Sequence, residues 1–141
     1  RLMTIRLLIA DDHELVRAGL HATFEDTEIE IVGEASNCQE AMQQALESEA
    51  DVMLLDLSMP GGNGFAVLER LRDATSLPII IFTMHDRRHD MKRALELGAH
   101  GFLTKLALRC DIIAAVRDAT CGRSTWIAGN DKEPIEVDQE C

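Results

Sequence analysis

The stretch Val52 to Gly64, VMLLDLSMPGGNG, limits what this chain can fold into more than any other. Val52, Met53, Leu54 and Leu55 are apolar without interruption, whereas a strand with one wet face would alternate with polar residues. The run therefore predicts a strand covered on both sides, which requires layers of chain above and below it. It delivers one carboxylate, Asp56, and Pro60, Gly61, Gly62 and Gly64 then prevent any continuation. An unpaired charge at the end of a buried strand costs several kcal/mol by order of magnitude, so something else in the chain must face Asp56.

The other apolar runs have the same form. Ile5 to Ala10, IRLLIA, predicts a second buried strand and ends directly on Asp11 and Asp12. From His13 to Phe24, Leu15, Val16, Gly19, Leu20 and Phe24 recur at helical spacing, with an Asp available at the N-cap. Glu30 to Glu34 predicts a short strand whose lower apolar content suits a sheet edge. Ser36 or Asn37 caps the next helix, with Cys38, Ala41, Met42, Ala45 and Leu46 on one face and capping-box spacing between Asn37 and Glu40. Phe65, Leu68 and Leu71 mark a third helix, with Arg70 and Arg72 at its C-terminal end where cations suit the helix dipole.

Pro78 opens a strand, Ile79 to Phe82, that terminates at Thr83. A fourth helix from about Arg87 to Leu97 has a narrow apolar stripe of Met91, Ala94, Leu95 and Leu97, and Gly98 stands as its C-terminal cap. Its basic face, Arg87, Arg88, Lys92 and Arg93, reads as solvated. Gly101 to Leu103 is a short strand leading to Thr104 and Lys105, and Leu108 to Ala119 makes a last helix with Leu108, Ile112, Ala115, Val116 and Ala119 inward. Strands alternating with helices through short connections predict an α/β fold, a parallel sheet covered on both faces and doubly wound by right-handed crossovers. Such sheets bind ligands beyond the carboxyl ends of their strands, where this chain carries Asp11, Asp12, Asp56, Thr83 and Lys105.

From Gly122 the pattern lapses: GRSTWIAGNDKEPIEVDQEC carries five acidic residues against Arg123 and Lys132 and has no sustained period. Residues 123–141 therefore read as an acidic linker or tail, with Trp126 and Ile127 able to dock on the domain. Met3, preceded by Arg1 and Leu2, is the expected native start. A length of 141 residues suits one domain. The net charge of -11 repels a phosphate backbone and argues against nucleic-acid binding by this segment. No apolar run approaches the ~20 residues of a membrane span. Cys38, Cys110, Cys121 and Cys141 form no C-x-x-C pair, which fits reduced thiols in a cytoplasm better than a zinc site or a disulfide framework.

Taken singly, each acidic residue at a strand end could be a helix cap or a turn, Lys105 a surface lysine and Thr83 a strand-end hydroxyl. Together they are a chemical constellation. Carboxylates 4 Å apart repel by ~4 kcal/mol per pair at an effective dielectric of 20, and a divalent cation removes that conflict. Oxygen ligands without His or Cys favour Mg2+, which keeps waters and brings in phosphate. Lys105 and Thr83 offer the charge and the donor that phosphoryl oxygens require. Asp56, alone at the central strand, is then the candidate nucleophile for an aspartyl phosphate.

IRLLIADDHELVRAGL, VMLLDLSMPGGNGF, IIIFTMHD and GAHGFLTK resemble the receiver domain of bacterial two-component response regulators, from about Thr4 to Gly122. ADDHELVRAGL and the turn at Gly98 to Leu103 resemble the NarL/FixJ subgroup, whose receivers normally precede a LuxR-type helix-turn-helix domain. The resemblance implies a flavodoxin-like (βα)5 fold with five parallel strands in the order 2-1-3-4-5. It implies that Asp56 accepts phosphate from a sensor histidine kinase, that Asp11, Asp12, Asp56 and the carbonyl of Ser58 hold Mg2+, and that Thr83 and Lys105 bind the phosphoryl oxygens. Phe102 would be the switch aromatic, turning inward as Thr83 moves. Such a protein is a phosphoacceptor switch, catalysing only its own phosphotransfer and autodephosphorylation, with phosphorylation-dependent homodimerisation and control of an effector outside this chain as its outputs.

Four positions depart from or tune the family pattern. The family usually has Pro after the Lys, with a cis bond before it; Leu106 stands here, and a non-proline cis bond costs ~3 kcal/mol. Met84 is bulkier than the small residue often found after the Thr, and Ser58 and His85 occupy positions that in the family line the site and tune how long the aspartyl phosphate survives. His13, His21, His89 and His100 read as solvated helix or loop residues. Two other readings compete: a receiver that works without phosphate as an interaction module, and a Mg2+-dependent phosphohydrolase. The second lacks the D-x-D loop of the haloacid-dehalogenase type, since Asp56-Leu57-Ser58 has no second Asp. A flavodoxin-type flavin site lacks both a hydroxyl-rich phosphate loop and any Tyr.

Overall fold

The uninterrupted apolar runs do become the interior of a parallel sheet. In the computed structural model, residues 3–84 and 88–127 are described; His85, Asp86, Arg87 and the tail from residue 128, including Cys141, lie outside them. The strands are β1 (Ile5–Ala10), β2 (Ile29–Ala35), β3 (Val52–Leu55), β4 (Ile79–Thr83), β5 (Gly101–Thr104) and β6 (Thr125–Ile127). Between them stand α1 (Glu14–Phe24), α2 (Cys38–Glu47), α3 (Gly64–Ala74), α4 (Arg88–Glu96) and α5 (Arg109–Thr120). Every strand pairing is parallel, in the order β2-β1-β3-β4-β5-β6.

The alternation of side chains along each strand divides the core in two. Leu8, Ala10, Met53, Leu55, Ile79, Ile81 and Phe102 face α2, α3 and α4, while Leu7, Ile9, Val52, Leu54, Ile80 and Phe82 face α1 and α5. Both faces are therefore covered, and β3 is buried at all of its positions, as its composition demands. β2, whose apolar residues are interrupted by Glu30, Gly33 and Glu34, takes an edge. No helix among the described residues is long and apolar enough to cross a membrane.

The five-strand expectation is one short. Thr125–Ile127 adds a sixth strand beside β5, with Trp126 opposite Phe102 and only 3% exposed. The sheet thus continues past Gly122, where the sequence period ends. Gly101 makes room for it, since a Cβ there would stand 3.0 Å from the Thr125 carbonyl oxygen. Three residues are too few to display a period, so this strand is revealed only by its pairing with β5 and the burial of its indole.

Helix edges differ from the spacing argument in several places, and Leu95, expected on the inner stripe of α4, is exposed. Leu15 is 88% exposed and Leu108 67%, and Leu46 is also exposed. Leu108 is the N-cap of α5 rather than a residue of its inner face. The N-cap of α1 is His13, not an Asp, and its side chain makes no capping bond. Asn37 does cap α2, accepting from the Glu40 amide at 2.8 Å. The Glu40 carboxylate reaches one residue further back than in a regular capping box, accepting from the Ser36 amide at 2.9 Å and hydroxyl at 2.8 Å. Gly98 takes φ +94 after α4, the left-handed cap expected of it. No peptide bond among the described residues is cis, and the Lys105–Leu106 bond is trans.

Candidate functional site

The parallel register brings the predicted residues together at the carboxyl edge. Asp11 and Asp56 lie one residue beyond β1 and β3, but their backbones still belong to the sheet: the Asp11 amide donates to Ala35 O at 2.8 Å and the Asp56 amide to Ala10 O at 2.9 Å. Lys105 follows β5 in the same way, its amide donating to Thr83 O at 2.9 Å. Fixed in this manner, the side chains cannot drift apart with loop motion. Asp11 and Asp56 are each 2% exposed, and Thr83 is fully buried at the end of β4.

Lys105 answers the question of what Asp56 faces. Its Nζ stands 3.1 Å from Asp56 Oδ2 and 2.6 Å from Asp11 Oδ2, and the side chain is itself only 5% exposed. One ammonium thus serves two buried carboxylates, a pairing that offsets part of the cost of burying all three charges. Asp12 is partly exposed, yet its Oδ1 is a buried atom that receives no hydrogen bond among the described residues. One ligand atom from each of Asp11, Asp12, His13 and Asp56 lies within 4.8 Å of the others. Net negative charge and an oxygen without a donor are what a divalent cation would satisfy, so the donor set fits Mg2+.

The turn after Asp56 is held back over the carboxylate: the Ser58 amide faces Asp56 Oδ1 at 3.3 Å. It is also tied to α2, because the Cys38 amide donates to Pro60 O at 3.0 Å. Cys38 is buried, and burial first, then the charge of Asp56, push its thiol above the ordinary range. Met84 is exposed beside Thr83, while Phe102 is fully buried. His85, expected to line the site, lies outside the described residues.

Three neighbours escaped the sequence reading. His13, taken as a solvated residue, has Nδ1 3.1 Å from Asp11 Oδ1 and 3.2 Å from Asp12 Oδ1. Arg17 donates from Nη1 to the Asp11 carbonyl at 2.6 Å and pairs with Glu34 through Nε at 3.4 Å. Cys38, assigned only to the apolar face of α2, anchors the turn after Asp56. Adjacency of His13 to the acidic pair was visible, but the direction of its ring was not.

A buried carboxylate at a central strand end, an acidic pair on the neighbouring strand and a lysine bridging them define a response regulator receiver domain, and this chain belongs to that family, matching it over residues 7–117. More particularly, it is a two-component receiver of the NarL/FixJ, LuxR-type group. The response regulator UvrY of Escherichia coli (strain K12) is 34% identical over 137 residues, 96% of this chain and 62% of UvrY. The nitrate/nitrite response regulator protein NarL of the same strain is 36% identical over 118 residues, 82% of this chain and 55% of NarL. The signal receiver domain of NarL from Mycobacterium tuberculosis superposes with a TM-score of 0.81 at 32% identity, covering 86% of this chain and 100% of that one. The chain thus spans less than two thirds of the length of these curated relatives. Receiver domains of this kind are signalling switches, and regulators of this type are phosphorylated by histidine kinases.

Proposed function

We propose that this chain relays a signal by accepting a phosphoryl group on Asp56 from the phosphohistidine of a sensor kinase. The observation that carries the reading is the pair of contacts made by buried Lys105, 2.6 Å to Asp11 and 3.1 Å to Asp56. In the transfer, an Asp56 oxygen attacks phosphorus as the bond from phosphorus to the histidine nitrogen breaks, and the imidazole leaves. Asp11, Asp12, Asp56 and the Ser58 carbonyl would hold Mg2+, which when bound would supply positive charge for the phosphoryl oxygens. Lys105 leaves its place between the two carboxylates to pair with the new phosphoryl oxygens, and Thr83 donates to them.

A phosphoryl group adds about 1.5 to 2 negative charges at neutral pH. That charge draws Thr83 and Lys105 inward, and α4, β5 and α5 repack with Phe102 as the moving aromatic. Dimerisation and release of a DNA-binding effector are the outputs, with transcription regulation in the cytoplasm as the process. Residues 4–122 with the appended strand are the receiver, and the acidic stretch that follows is the linker towards that effector. The net charge of -11 leaves DNA contact to a different part of the protein. Docking of the kinase is supported by exposed apolar side chains around the same edge, among them Leu15, Met84 and Leu106.

The test is labelling with acetyl phosphate in Mg2+. The parent chain gains one phosphoryl group by intact mass and Asp56→Asn gains none. A variant that labels as fully as the parent would refute the assignment.

A further inference from the structure

His13 stands at the N-cap of α1, where Ser, Thr, Asp or Asn would normally bond the helix amides. Its side chain makes no such bond. The ring turns back instead to the acidic pair, with Nδ1 3.1 Å from Asp11 Oδ1 and 3.2 Å from Asp12 Oδ1. Asp11 is therefore divided between two neighbours, with Oδ2 facing Lys105 and Oδ1 facing the imidazole. The Asp12 oxygen nearest the ring is the buried atom that accepts no hydrogen bond among the described residues.

We propose that His13 is a selectivity ligand of this cation site: Nδ1 joins carboxylate oxygens of Asp11 and Asp12 on one ion, giving the site a preference for first-row transition cations such as Mn2+ or Co2+ over Mg2+. The inference rests on the reading of the acidic cluster as the cation site. Octahedral ions with bonds of about 2.1 Å hold adjacent donors about 3.0 Å apart, and both nitrogen-to-oxygen separations are close to that spacing. Nδ1 is free to ligate in the tautomer with its proton on Nε2, which the 59% exposure of the side chain allows, and Asp11 Oδ1, which also accepts from the His13 amide at 2.8 Å, keeps a second lone pair for the ion. Imidazole nitrogen binds Mn2+, Co2+ and heavier divalent ions, whereas Mg2+ prefers oxygen and gains little from it. An oxygen-only site would follow the affinity order with a smaller spread.

The experiment titrates the full chain with Mn2+ and with Mg2+, and records pulsed electron paramagnetic resonance of the Mn2+ complex. Expected are tighter Mn2+ than Mg2+ binding, a nitrogen-14 coupling from a directly bound imidazole, and loss of that coupling in His13→Ala. Mn2+ affinity should fall by roughly tenfold in the variant, while Mg2+ affinity changes by no more than about twofold. Mn2+ bound without nitrogen coupling in the parent chain, or equal losses for both ions in His13→Ala, overturns the role of His13 and leaves the carboxylate site standing. Absence of binding by either ion in the parent overturns the cation site itself, and the role of His13 with it.

Discussion

Glycine-to-alanine substitution at two helical positions is expected to act with opposite signs, and the structure supplies both magnitudes. Gly19 lies within α1, and a Cβ built on it meets nothing within 4 Å. Alanine there keeps only the gain in helix propensity, about 1 kcal/mol. Gly64 opens α3, and its Cβ would stand 2.6 Å from Leu57 Cα and 3.0 Å from the carbonyl oxygens of Asp56 and Leu57. These are backbone atoms that cannot rotate away, and the closest approach falls about 0.8 Å short of ordinary contact. Overpacking of this kind costs roughly 1–3 kcal/mol, more than propensity returns at the first residue of a helix. The two variants should therefore differ by roughly 2–4 kcal/mol, with Gly19→Ala above the parent and Gly64→Ala below it. Urea unfolding followed by far-ultraviolet circular dichroism reads this as midpoint shifts in opposite directions at a common slope. Because the atoms that must yield in Gly64→Ala carry Asp56, Mg2+ binding should weaken there and stay at the parent value in Gly19→Ala. A Gly64→Ala protein as stable as the parent would refute the contact argument, and a destabilised Gly19→Ala would refute the claim of open space.

Three further outcomes follow from the same geometry. Trp126→Ala empties a buried position on β6 and should cost about 3 kcal/mol in urea unfolding; a change under about 0.5 kcal/mol would mean that the sixth strand adds nothing to the domain. Lys105→Met leaves Asp11 and Asp56 without their shared ammonium and should destabilise by roughly 3–5 kcal/mol without metal. Saturating Mg2+ should then raise the melting temperature of Lys105→Met more than that of the parent, and an equal rise would count against the shared cation role. His100 is exposed overall, but its Nδ1 accepts from the Ile79 amide at 3.1 Å, and desolvation of the ring holds it below its ordinary pKa. The unfolded chain, with an ordinary His near 6.5, therefore takes up the proton first. The contribution of His100 is complete above that pH and is lost as pH falls through the lower folded value. His100→Gln should flatten the fall in stability between about pH 7 and 5, and an unchanged slope would exclude the residue as its source.

The runs IRLLIA, VMLL and IIIF were sufficient to identify buried parallel strands, because an uninterrupted apolar segment is stable only where both faces are covered. Their abrupt ends at Asp11, Asp56 and Thr83 marked the functional edge for the same reason. Spacing also located the helices, but it left their inner faces too wide: Leu15 and Leu46 share the helical period of buried residues yet face solvent. Period reports which residues lie on one side of a helix, while the neighbouring elements decide how broad a stripe is covered.

Local pattern carries covalent order and side-chain chemistry, which were enough to nominate Asp11, Asp12, Asp56, Thr83 and Lys105. Contacts between residues far apart in the chain depend on register and ring direction. Lys105 sits between two carboxylates because β1, β3 and β5 end at the same level, and Trp126 is buried because Gly101 lets a three-residue strand approach. His13 turns to the acidic pair instead of capping α1. Each of these is settled by packing between distant segments, whose free energy no window of sequence contains.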